Sequence, residues 1–154
     1  MKKSVVFVLI VCMTVLLGST VAMAGPAPAL TKVDIHAFTA QNYNYQWQFT
    51  PDNYPKSMNG FAFSGPELYM NVIYTGMPNW NLTFIKVNGK QYKHSQLFEK
   101  QFFITDIGGI VGGYEIVYKI PPTYLGNSNT ITVTSRGTNS GAADNIATNI
   151  KFVK

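Results

Sequence analysis

Tyr43-Asn44-Tyr45-Gln46-Trp47-Gln48-Phe49 alternates an aromatic ring with a polar side chain at every step. A helix would scatter the four rings over three faces. An extended strand puts them all on one side, because its side chains alternate with a period of two. The stretch therefore predicts a strand over 43–49 with its rings turned towards a core. The same period continues in both directions. Val33, Ile35 and Ala37 alternate with Lys32, Asp34 and His36 upstream. Leu68, Met70, Val72 and Tyr74 share one side downstream, as do Tyr114, Ile116, Tyr118 and Ile120.

Breakers separate these runs. Thr50 to Gly60 holds Pro51, Pro55, Asp52-Asn53 and Asn59-Gly60 and reads as a loop. Gly65-Pro66 and Gly76-Met77-Pro78-Asn79 are turns. Asn88-Gly89 is the strongest hairpin signal, since a two-residue type I′ turn needs positive φ at both central positions. Ser95 to Lys100 fits one helical turn. Gly108 to Gly113 reads as a mobile connection. Pro121-Pro122 ends a strand, because proline cannot donate to a sheet ladder. Thr130–Ser135 and Ile146–Val153 are the last two strands. About nine or ten short strands at spacings near ten residues, with almost no helix, predict an all-β, two-sheet antiparallel β-sandwich, jelly-roll in preference to immunoglobulin-like.

The first residues read as an export signal covering 1–24. Lys2 and Lys3 precede the apolar run Val5 to Leu17, and Ala22-Met23-Ala24 supplies the small-x-small pattern that a signal peptidase accepts. Cleavage after Ala24 leaves 25–154 as a single domain. Its Pro/Ala-rich start, Gly25 to Leu30, reads as a flexible leader. Cys12, the lone cysteine, goes with the signal, so the remaining chain folds without a disulfide in its secreted or periplasmic location. The membrane is met only during export.

The chain carries 12 basic and 7 acidic residues, a formal charge of +5; loss of Lys2 and Lys3 leaves ten against seven, or +3. The basic residues are scattered, Lys56 among them, and Arg136 is the lone arginine. Nucleic-acid binders carry a denser basic stripe with arginine as base reader, so that class is set aside. Charged residues make up 12% and aromatics 14%, which leaves Asn, Gln, Thr, Ser and Tyr to cover the surface.

No catalytic signature emerges, and no enzyme activity is expected. His36 and His94 stand far apart on polar sides of strands and read as solvated, with no partner at metal-ligand spacing. The seven carboxylates include no marked pair of the kind a glycosidase needs. No cofactor is expected. A structural Ca²⁺, if one binds, belongs in the loops at Asp106 or Asp144-Asn145, which lack EF-hand spacing. Exposed aromatics beside amides and carboxylates are the better candidates, because a sugar's C–H face stacks on a ring while its hydroxyls take polar partners. Trp80 with Asn79, in a Pro/Asn loop, and Tyr54 with Asp52, in an Asp/Asn/Pro loop, are the predicted ligand-binding residues. Trp47, on the alternating strand, reads as core.

Three segments carry a family resemblance. Asn81-Leu82-Thr83-Phe84-Ile85-Lys86-Val87-Asn88-Gly89-Lys90 is similar to the strand and hairpin of the galactose-binding-like jelly-roll modules attached to polysaccharide lyases and glycosidases. Tyr114 to Pro121, followed by Tyr124-Leu125 and Asn127-Ser128-Asn129-Thr130-Ile131-Thr132-Val133, resembles their next stretch. Asn149-Ile150-Lys151-Phe152 looks like their last strand, with Asn149 where Asp is common. The resemblance runs from Leu68 to the end. It implies a jelly-roll that binds carbohydrate and transfers no binding residue.

The sequence thus reads as an exported, non-catalytic carbohydrate-binding module. The rival is a structural or assembly protein with an immunoglobulin-like fold that acts through protein–protein contacts. The oligomeric state is left open.

Overall fold

The computed structural model describes residues 27–52, 56–58, 61–138 and the backbone of 146–153. The expected signal segment 1–24, Tyr54 and Asp144-Asn145 lie outside the described residues. Two five-stranded sheets stack into an all-β sandwich. The first has the order β2 (Gln48–Phe49), β1 (Lys32–Ala40), β4 (Leu68–Thr75), β8 (Val111–Ile120) and β7 (Phe98–Thr105). The second has the order β3 (Lys56–Met58), β10 (Ile146–Val153), β9 (Ser128–Ser135), β5 (Phe84–Val87) and β6 (Lys90–Lys93). Among the described residues, helix is limited to α1 (His94–Leu97) and three 3-10 turns.

The core follows the period-two pattern at the middle of the first sheet. Leu68, Met70, Val72 and Tyr74 of β4 are fully buried, and Ile116, Tyr118 and Ile120 of the adjacent β8 join them. Ile85, Ile131 and Val133 cover them from the second sheet. The Asn88-Gly89 turn has φ values of 51° and 84°, as a type I′ turn requires, and it pairs β5 with β6. Ile146–Val153 is a strand over the same residues that the sequence predicts.

Several expectations are corrected. The run 43–49 is not one strand. Gln41–Tyr43 forms a 3-10 turn, and Asn44 and Tyr45 both take left-handed backbone, with φ of 52° and 58°. Two such residues in a row reverse the chain, so only Gln48–Phe49 pairs with β1. The Thr50–Gly60 loop contains the short strand β3, and β3 runs parallel to β10, with Lys56 beside Ile150. Gly108–Gly113, expected to be a connection throughout, is a turn that runs into a strand. The Asp106 carboxylate accepts from the Gly108 and Ile110 amides, which closes a tight turn, and β8 begins at Val111.

Two charged residues read as surface are inside. Lys56 is 2% exposed. Its ammonium meets Asp34 at 2.5 Å and donates to the Ile35 carbonyl and the Thr50 hydroxyl. A β-bulge between Ile35 and Ala37 breaks the alternation of β1 and accompanies this inward turn of Asp34.

Candidate functional site

The outward face of the first sheet is not a plain polar surface. Residues opposite the core on β4 and β8 include Tyr69, Asn71, Glu115 and Val117, and β7 adds Lys100 and Phe102 at register with Val117 and Glu115. The reversed segment after β1 folds back over this face. The Tyr45 amide donates to the Ala40 carbonyl and the Thr39 hydroxyl to the Gln46 carbonyl. Tyr43 turns away and stacks on Phe61, with ring centres 5.0 Å apart. Tyr45, Trp47 and Phe49 are left 49%, 36% and 66% exposed. The expectation that these rings face the core is therefore overturned for three of the four.

Together these residues bound a groove of about 500 Å³ lined by Thr39, Tyr45, Trp47, Tyr69, Glu99, Lys100, Phe102, Glu115 and Val117. Small-molecule clefts span about 300–1,000 Å³. Trp47 and Glu115 also line a smaller recess of about 190 Å³ with His36, Phe49 and Asn71. Aromatic rings form the sides, and carboxylates, an ammonium and an amide lie between them. Asn71 Nδ2 donates to Glu115 Oε1 at 2.6 Å and holds that carboxylate in place. Asn71 Oδ1 is buried and has no hydrogen-bond donor among the described residues, a state that costs about 1–3 kcal/mol.

Tyr69 packs edge-on against Tyr45 and donates its hydroxyl to Glu67, which also pairs with Lys119. The bond to Glu67 pushes the Tyr69 phenol up to about 12, while the bonds from Lys119 and Tyr69 hold Glu67 below the usual carboxylate range. Tyr69 is thus a neutral hydroxyl of fixed orientation at the end of the groove.

Of the residues predicted from the sequence, the three that are described, Asn79, Trp80 and Asp52, do not line this groove. Asn79 caps the 3-10 turn Trp80–Leu82 by accepting from the Asn81 amide. Trp80 is half-buried, stacked on His94 at 4.5 Å and flanked edge-on by Tyr74 and Tyr114. Asp52 is exposed just beyond β2. His94, read as solvated, is half-buried. Its Nδ1 lies 2.9 Å from the Tyr118 hydroxyl, which in turn lies 2.7 Å from that of Tyr74. Burial lowers the His94 pKa and raises those of both tyrosines.

Tyr45, Trp47, Tyr69 and Phe102 are the site residues that the sequence reading missed. A signal existed for Tyr69. The alternation that sends Leu68 and Met70 inward sends it outward, where a large ring has no core to fill. Among the described residues, no group of three or more His, Cys, Asp or Glu side chains gathers as metal ligands would.

Residues 25–152 match the family model described as Domain of unknown function (DUF4879). The chain belongs to this family. No curated protein and no solved structure matches it. The groove lies within the matched region, on strands β1, β4, β7 and β8 and the segment that follows β1.

Proposed function

We propose that this DUF4879 domain is an exported, non-catalytic carbohydrate-binding module of jelly-roll type, with the groove on the first sheet as its binding site. The observation that carries this reading is the exposure of Tyr45, Trp47 and Phe102 around Glu99, Lys100, Glu115 and the Tyr69 hydroxyl. Rings of that kind stack on the C–H faces of a pyranose. The carboxylates and the hydroxyl take its OH groups, and Asn71 braces Glu115 from behind. A sugar suits a wall of mixed polarity better than a wholly apolar ligand does, because the carboxylates keep partners when water leaves. The resemblance of Asn81–Lys90 and of Tyr114–Val133 to galactose-binding-like modules points the same way. Export is supported by Lys2-Lys3, the apolar run after them and the Ala22-Met23-Ala24 site, with the family match starting at residue 25.

The test is a titration of the purified protein with a panel of polysaccharides, followed by tryptophan fluorescence and calorimetry. The chain has two tryptophans, and Trp80 packs against His94, Tyr74 and Tyr114 away from the groove, so a ligand-induced change that Trp47→Ala abolishes reports Trp47. Trp47→Ala should lower affinity at least tenfold with an unchanged circular-dichroism spectrum. Absence of binding across the panel, or full binding by Trp47→Ala, removes the proposal. Release of reducing ends, lost in Glu99→Gln or Glu115→Gln, would replace it with a hydrolase.

A further inference from the structure

The four edges of the sandwich are not equally protected. β2 has two residues and β3 has three. β6 has four, of which Lys90 and Lys93 are two. Short length and lysine are the usual devices that stop an edge from pairing with another chain. β7 has neither over most of its length. It spans eight residues with no proline, and Gln101-Phe102-Phe103-Ile104-Thr105 carries no charge. Phe102, Phe103 and Ile104 are 51%, 63% and 38% exposed. They do not share a face. Phe102 and Ile104 lie opposite Glu115 and Gly113 on the outer side, and Phe103 lies opposite Tyr114 on the inner side. A flat partner covers one side of a strand, whereas an added strand brings neighbours to both.

We propose that β7 pairs antiparallel with β7 of a second copy about a two-fold axis at Phe103. This register is self-complementary. Phe103 meets Phe103 of the second copy, Phe102 meets Ile104, Gln101 meets Thr105, and Lys100 meets Asp106 at both ends. The axis stands perpendicular to the sheet, so the joined ten-stranded sheet presents the outer faces of both copies on one side. Each groove is walled by Phe102 and Lys100 of β7. The two grooves therefore open beside each other and form one longer platform suited to a polysaccharide chain. The platform rests on the groove being the ligand site; the dimer does not.

Light scattering on ligand-free protein tests the dimer independently of any sugar. A reversible, concentration-dependent dimer is expected, and Phe103→Lys should make it monomeric with an unchanged circular-dichroism spectrum. Cysteine placement tests the register, with Cys12→Ser where residues 1–24 are retained. Phe103→Cys should cross-link to itself under mild oxidation. Gln101→Cys and Thr105→Cys should cross-link when mixed and not when alone, because directly opposite strand positions meet the geometry of a disulfide. A monomer at all concentrations overturns the proposal. So does a dimer that survives Phe103→Lys, or one that fails to cross-link in this pattern.

Discussion

The Lys56 ammonium lies 2.5 Å from the Asp34 carboxylate inside the sandwich, where both side chains are nearly out of contact with water. The pair ties β3, an edge of the second sheet, to β1 of the first. Removing Asp34 leaves the Lys56 ammonium as a buried charge without this counter-ion, at about 3–5 kcal/mol, whereas removing Lys56 leaves Asp34 with the exposed Lys32 at 3.4 Å and should cost less. Asp34→Leu should lower the urea midpoint strongly, and Lys56→Met less so. The double variant should recover most of the loss, because its apolar side chains need no counter-ion.

His94 makes stability depend on mild acid. Burial holds its pKa in the folded chain below the ordinary value of 6.5. Below about 6.5 the unfolded chain therefore binds more protons than the folded one, so stability falls as pH drops through that window. Glu67, whose pKa is also depressed, acts in the same direction only at lower pH, below 4.5. Urea midpoints should decrease from pH 7.5 to pH 5.5. His94→Asn should flatten that slope, and a slope unchanged in the variant would show that His94 is not its source.

Tyr74 and Tyr118 share a hydroxyl–hydroxyl bond within the core. Tyr118→Phe leaves the Tyr74 hydroxyl and His94 Nδ1 without this partner, which should cost about 1–3 kcal/mol in thermal or chemical unfolding. The Tyr74→Phe/Tyr118→Phe double variant should be less destabilised than the sum of the singles. Additive losses would show that the two hydroxyls do not act together.

Tyr45 holds a left-handed backbone that side chains other than Gly, Asn and Asp rarely adopt. Tyr45→Asn should stabilise the fold by about 1 kcal/mol. The same change removes a ring from the groove, and if the groove is the sugar site proposed above it should weaken binding there several-fold. Opposite signs in the melting and binding measurements would mark Tyr45 as a residue whose strain serves the site. A loss of stability would show that the backbone there is unstrained.

The interior of the first sheet was legible because β4 and β8 each keep a strict period of two, and the Asn88-Gly89 turn because few other dipeptides tolerate its backbone. The groove was hidden in the most regular-looking stretch. Alternation says that Tyr43, Tyr45, Trp47 and Phe49 share a face only if the chain stays extended, and Asn44-Tyr45 reverses it. Pairing across long separations was equally out of reach. Nothing local to Lys56 announces Asp34, and nothing local to Trp80 announces that His94 will stack on it.

β10 lies between β3 and β9, so two neighbours of the second sheet wait for the segment 146–153. Until residue 153 has left the ribosome, β9 has no strand companion on that side and β3 has none among the described residues. The first sheet then has only part of its cover. The second sheet is therefore completed only by one of its interior strands, and the sandwich closes once synthesis has passed β10.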